Sequence, residues 1–450
     1  MNYREKLHHL IPGGAHTYSR GDDQYPDNAP SILVGGKGCY VRDPEGKEYL
    51  DYGMGLMSVT VGYAYAPIVE AAVREIYLGN TLARPSMTEL KAAELIIDLI
   101  PGAEMVKFAK NGSTVTSASV KLARAYTNRN YVAVCSDHPF FSYDDWFIGS
   151  TVVPKGVPEE HRKMTRKFKY NDIVSLKNLF AQYNQEIAAV IMEPVSTTPP
   201  CASEFPQNKC SQECECKAAG HRHFLTAVRE LCDQHGAVLI FDEMRTGFRW
   251  HLKGAQHYFG VEPDLSTFGK GMANGFSVAA LVGKKEIMDQ GGIMDKGKER
   301  VFLISTTHGA EMCGLGAFIK TMEIYEEQNV VGHMWNYGKK LMDGINQISE
   351  EQGIRDCFFM EGYSCFPSYV TKDRNGNISM EFRTLFAQEM VNNGVLMPWV
   401  ALSLSHGDRE LEKSLDAVKK SLEVYSAGLA KGVGGYLHST VIKPVFRKYN

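Results

Sequence analysis

Between about residue 100 and residue 285, short apolar runs alternate with stretches of helical spacing, and this pattern constrains the fold of the 450-residue chain more than any other. Apolar runs of strand length separated by helical segments are the signature of a parallel sheet covered by helices. Val106–Ala109, Tyr131–Cys135, Ala188–Met192, Val238–Phe241 and Val278–Val282 are predicted strands. Thr114–Tyr126 and Phe224–His235 are predicted helices, the second with Phe224, Ala227, Val228, Leu231 and Cys232 at helical spacing. Upstream, Gly35–Asp51 reads as two strands joined at Pro44-Glu45-Gly46. Downstream, helical patterns over Trp335–Glu350, Arg383–Asn393 and Arg409–Gly428 surround the strand-like Ser364–Val370. The predicted division is therefore a large α/β domain over 61–330 and a smaller α+β domain assembled from 1–60 and 331–450.

Charge excludes some functions. With 49 Lys+Arg against 52 Asp+Glu the net charge is −3, so no strong field attracts nucleic acid or an anionic membrane. No run of about 18 uncharged apolar residues occurs, and the first twenty positions lack the apolar core of a signal peptide. The expectation is a cytoplasmic protein whose ten cysteines are reduced. Cys201, Cys210, Cys214 and Cys216, with His221 and His223, crowd an insertion over 199–223. Such side chains can hold a structural zinc, but paired C-x-x-C knuckles are missing, so reduced loop thiols and a local disulfide stay open beside it.

Three segments far apart in sequence ask for one ligand. Lys110-Asn111-Gly112-Ser113-Thr114 leaves a strand and opens a helix, so free N–H groups there suit a phosphate, although Ser and Thr at such a place also serve as caps. Val238–Phe241 ends in Asp242 and Glu243, where α/β proteins bind ligands; a metal ligand, a general base or a cap each accounts for Asp242. Lys270 stands between Gly269 and Gly271, which leave room for something bulky to approach its amine. Together they offer a phosphate cradle, a carboxylate for a protonated ring nitrogen and an amine for a Schiff base, the set that pyridoxal phosphate requires.

On the strings FDEMRTGF, FGKGMANGFSVAAL and KNGST followed by SVKLARAYTNR, with 28 residues from Asp242 to Lys270, the chain resembles the class III aminotransferases of the fold type I pyridoxal-phosphate enzymes, and within them the glutamate-1-semialdehyde aminomutase-like branch. The resemblance implies a mainly parallel seven-stranded sheet, Lys270 as the internal aldimine, Asp242 on the pyridine nitrogen, and Gly112, Ser113 and Thr114 on the phosphate. It also implies a homodimer in which Thr306 reaches the neighbouring subunit's phosphate. The aromatic expected to stack on the ring is placed at Phe140 by anchoring on Asp145-Trp146-Phe147-Ile148-Gly149. Thr17 and Arg20 fall where this branch holds a substrate carboxylate, and Trp399 lies in the C-terminal substrate segment. That segment is shorter than in the aminomutase and lacks its acidic residue. The expected activity is transfer of an amino group from an amino-acid donor, L-glutamate, to a small or sugar-derived carbonyl compound. Intramolecular amino transfer by an aminomutase is the alternative, and a non-catalytic scaffold the third reading.

Overall fold

Every residue of Ile187–Met192, Val238–Asp242 and Ala279–Gly283 is buried, as strands covered on both faces require. The computed structural model describes residues 2–201, 216, 220 and 222–449. The chain divides into a large unit, residues 66–331, and a small unit made of residues 1–65 and 332–450.

The strands run in chain order as β1 (Gly35–Lys37), β2 (Tyr40–Arg42), β3 (Glu48–Asp51), β4 (Met105–Ala109), β5 (Tyr131–Cys135), β6 (Thr165–Phe168), β7 (Ile187–Met192), β8 (Val238–Asp242), β9 (Leu265–Phe268), β10 (Ala279–Gly283), β11 (Phe358–Tyr363), β12 (Phe366–Thr371) and β13 (Val395–Leu396). In the large unit the sheet order is β4-β10-β9-β8-β7-β5-β6. Strand β10 is antiparallel to both neighbours, while β6, β5, β7, β8 and β9 are mutually parallel. The fold is thus α/β with a mainly parallel seven-stranded sheet. Helix Gly112–Thr127 connects β4 to β5 and packs across β7, β9 and β10. It buries Val115, Ala118, Val120, Leu122 and Ala123.

Two strands of this sheet were not predicted. In β9 the apolar ends Leu265 and Phe268 enclose Ser266 and Thr267, whose hydroxyls bond to Gln256 (2.6 Å) and Asp242 (3.0 Å), so polar residues are satisfied inside a buried strand. In β6, Arg166 and Lys167 interrupt the apolar pattern, as an edge strand allows. The predicted strand Ser364–Val370 is the second arm of a hairpin, β11 and β12.

The small unit carries a four-stranded sheet, β1-β2-β3-β13, in which β13 from the C-terminal half lies parallel to β3. Val41 and Tyr49 pack with Val391 and Leu396 beneath it. Thr440 donates from its N–H (2.7 Å) and Oγ1 (2.9 Å) to Asp27, further joining the two ends of the chain. Among the described residues no helix is long and apolar enough to cross a membrane.

Candidate active site

Parallel strands deliver their following residues to one edge of a sheet. Residues 189–192 of β7 pair with 238–241 of β8, and Asp242 pairs with Thr267 of β9. One step beyond, Glu193 comes abreast of Asp242, and three residues after Thr267 the chain reaches Lys270.

Asp242 is buried. Its Oδ1 accepts from Met244 N–H and Thr267 Oγ1–H, both at 3.0 Å, and among the described residues no donor reaches Oδ2. Burial, with Glu193 adding to it, pushes the Asp242 carboxyl up to about 7. A cationic N–H placed against Oδ2 relieves that penalty, so the group fits a protonated ring nitrogen. The neighbouring Glu243 has a structural task. It accepts from Thr246 Oγ1, Ala255 N–H (3.0 Å) and Gln256 N–H (2.7 Å), fixing the start of helix Gly254–Phe259. The cap reading of this strand end therefore belongs to Glu243.

Lys270 has φ +35°, a left-handed conformation that costs a non-glycine residue about 1 kcal/mol or more and is held here by its surroundings. Burial, followed by the charge of Arg245, lowers its pKa and favours the neutral amine.

The segment expected to take a phosphate is the start of helix Gly112–Thr127. Asn111 caps it, its Oδ1 accepting from Thr114 N–H at 3.0 Å. The N–H groups of Gly112 and Ser113 keep no acceptor within the described residues. A Cβ on Gly112 would stand 2.9 Å from Met244 Sδ and one on Gly269 2.6 Å from it, so both glycines keep the floor of the site open. The loop after β5 is fastened to this helix: Thr116 Oγ1 donates to Phe141 O (2.7 Å), and Tyr143 N–H donates to Ser113 Oγ (3.1 Å). Phe140, one residue before the Phe141 bond, is exposed and edge-on to Phe147.

Three residues of this edge were missed in the sequence. Arg245 grips Glu193 with two parallel hydrogen bonds, Nε to Oε1 at 2.6 Å and the other from its terminal nitrogen. Against the upward push of burial, Arg245 holds the Glu193 carboxyl below its usual range. Glu193 N–H donates to His138 Nδ1 at 3.0 Å, which fixes the proton on Nε2. That buried Nε2 has no hydrogen-bond partner among the described residues, and burial lowers the His138 pKa to about 4. Glu193 had a readable signal, a carboxylate ending an unbroken apolar strand as Asp242 does; His138 and Arg245 had none.

Thr306 lies exposed in the loop before helix Met312–Glu327. In the small unit, Arg20 and Trp399 line a groove of about 710 Å³ together with Tyr25, Asp51, Leu56 and Tyr63, whereas Thr17 does not line it. The Arg20 guanidinium makes no hydrogen bond or ion pair with a described residue, while its backbone N–H donates to Thr17 O at 2.9 Å. Trp399 Nε1–H donates to Gly53 O at 3.2 Å.

The zinc reading is not supported. Among the described residues no three metal-ligating side chains come together. His223 caps helix Phe224–His235, accepting at Nδ1 from Thr226 N–H and donating from Nε2 to Phe259 O (2.9 Å), so both nitrogens are engaged. Cys201 and Cys216 are buried; Cys210, Cys214 and His221 lie outside the described residues.

A helix start with free N–H groups, a buried carboxylate with one open oxygen and a strained lysine at one sheet edge are the features that a pyridoxal-phosphate enzyme requires. The chain belongs to the class-III aminotransferases, matching the family described as "Aminotransferase class-III" over residues 23–199 and 217–398. It is 32% identical over 426 residues, 94% of this chain and 96% of the relative, to the 3-aminobutyryl-CoA aminotransferase of Cloacimonas acidaminovorans (strain Evry). Its structure is similar to the internal aldimine form of the FumI protein of Sphingopyxis sp. MTA144, with TM-score 0.82, 25% identity and coverage of 95% of this chain and 97% of that one. A glutamate-1-semialdehyde aminomutase of Pseudomonas aeruginosa PAO1 shares the fold, with TM-score 0.77, 21% identity and coverage of 94% and 93%. The chain is thus an aminotransferase with pyridoxal 5′-phosphate as cofactor.

Proposed function

We propose that this aminotransferase takes the amino group of L-glutamate and places it on the carbonyl of a small or sugar-derived acceptor that carries an anionic group, acting in the cytoplasm as a homodimer. The observation that carries the acceptor class is Arg20, whose guanidinium makes no hydrogen bond or ion pair among the described residues, on the wall of a groove whose 710 Å³ exceeds what a five-carbon semialdehyde fills. Arg20 pairs with the anion, and Trp399 packs against the body of the substrate. The amine of the curated relative's substrate stands on the third carbon of an acyl thioester, which adds 3-oxoacyl derivatives to the acceptors worth offering.

Bound pyridoxal phosphate supplies an electron sink for the pair left when the substrate carbon loses its proton. The chain does the rest. Gly112 and Ser113 N–H groups and the Thr114 hydroxyl hold the phosphate, and Phe140 covers the ring. Asp242 Oδ2 keeps a proton on the ring nitrogen. The Lys270 amine would tether the cofactor and, when free, would take the proton from the carbon bearing the substrate amine and return it.

The aminomutase is the second reading, favoured by the segment Pro12–Arg20. Adding L-glutamate, L-alanine and glutamate-1-semialdehyde separately to the coloured protein decides between them. Bleaching of the lysine-bound band with release of 2-oxoglutarate, followed by recovery on adding 3-oxoacyl or keto-sugar acceptors, is the expected result. Semialdehyde turnover without any released keto acid would transfer the assignment to the aminomutase.

A further inference from the structure

Glu193, which is buried, and Arg245, whose side chain is 21% exposed, form a pair that takes no part in the steps above. Taking the Glu193 charge out of water carries a cost that its attraction to Arg245 must offset, so such a pair is a poor device for stability alone. Its place is specific. Glu193 stands abreast of Asp242 across β7 and β8, and Arg245 follows Asp242 by three residues. The two-point grip of Glu193 fixes the plane of the guanidinium, and His138, by accepting the Glu193 amide, pins the backbone from which that grip extends. The Lys270 nitrogen lies in the field of Arg245 and Arg249 on one side of the balance and of Asp242 and Glu193 on the other. Asp137 and Arg245 act in turn on His138.

We propose that Arg245, clamped by Glu193, is a positioning residue for Lys270: the fixed guanidinium sets the charge that the lysine nitrogen meets, and Glu193 limits how much of that charge reaches it. Arg245 acts through Lys270 and need not touch the substrate. The proposal rests on Lys270 being the tether of the cofactor. The pair is nearly neutral as a whole, so the two halves have opposite effects when removed singly.

The test uses the cofactor-loaded protein and follows the visible absorption of the lysine–cofactor linkage against pH. Glu193→Gln unmasks the guanidinium and is expected to move the midpoint of linkage protonation down by about 1–3 pH units. Arg245→Met leaves the carboxylate uncompensated and moves the midpoint up; Arg245→Lys stays close to the native value. Should Arg245→Met fail to fold, the double variant E193Q/R245M removes both charges and is expected to return near the native midpoint, while Glu193→Gln alone still gives the downward shift. Midpoints unchanged in Glu193→Gln, or moved the same way by both single variants, overturn the proposal and leave the pair a structural tie between strand ends. A native protein with no visible band would defeat the tether reading, an outcome separate from unshifted variants of a coloured protein.

Discussion

Asp242 answers two opposed demands, full burial and a negative charge, and its neighbours set the balance. Between its ordinary value of 3.8 and about 7 the folded, cofactor-free chain keeps a proton that the unfolded chain releases. The stabilisation is present below the ordinary value and lost as pH rises through about 7. Asp242→Asn keeps an acceptor for Met244 and Thr267 but cannot ionise. In denaturant titrations of the cofactor-free protein its advantage over the native chain should widen by about 1 kcal/mol per pH unit from pH 4 to 7 and level off above. A constant difference would show that Asp242 ionises freely in the fold. With cofactor loaded, the same variant should lower kcat on the order of 10²–10⁴-fold, as loss of the ring proton predicts, and Lys270→Ala should also abolish the pH-dependent linkage band.

At the scale of elements, the phosphate helix separates support from binding. Asn111→Ala removes the cap and should lower stability by about 1 kcal/mol, a fall of roughly 2 °C in melting temperature with or without cofactor. Gly112→Ala should leave the melting temperature of the free protein almost unchanged, because alanine favours the helix while its Cβ crowds Met244. Cofactor affinity, measured by reconstitution, should instead fall about tenfold, ~1.4 kcal/mol. These elements were readable in advance to different degrees. Tyr131–Cys135 and Phe224–His235 were placed to the residue, since an unbroken apolar run and a clean helical face leave no competing pattern. β9 was not, because its Ser266 and Thr267 look exposed until Gln256 and Asp242 are seen to accept their protons. The same blindness hid Arg245 and His138: a charged or titratable residue in a loop reads as solvated until a partner such as Glu193, 52 and 55 residues away, comes into contact.

For the molecule as a whole, the exposed face of helix Ala66–Tyr77 supports the proposed dimer. Val69, Val73, Ile76 and Tyr77 fall at one helical spacing on that face, with Tyr77 87% exposed. Sedimentation should give a species of about twice the 50.1 kDa chain mass. If Thr306 serves the partner's cofactor, co-refolding equal amounts of Lys270→Ala and Thr306→Ala chains should recover ~25% of native activity through the one intact site of each mixed dimer. Recovery no greater than the separate variants would place Thr306 in its own subunit's site.

The small unit is made from both ends of the chain, and this orders events during synthesis. Residues 66–331 form a continuous stretch that can close its sheet on the ribosome, but residues 1–65 must wait for β13, the segment carrying Val391 and the tail carrying Thr440. At about 5–20 residues per second, the 119 residues from 332 to 450 take roughly 6–24 s to emerge. Throughout that interval the nascent chain carries a finished sheet and an unfinished N-terminal arm, so slowing translation over the codons for residues 332–450 should raise the demand for chaperones.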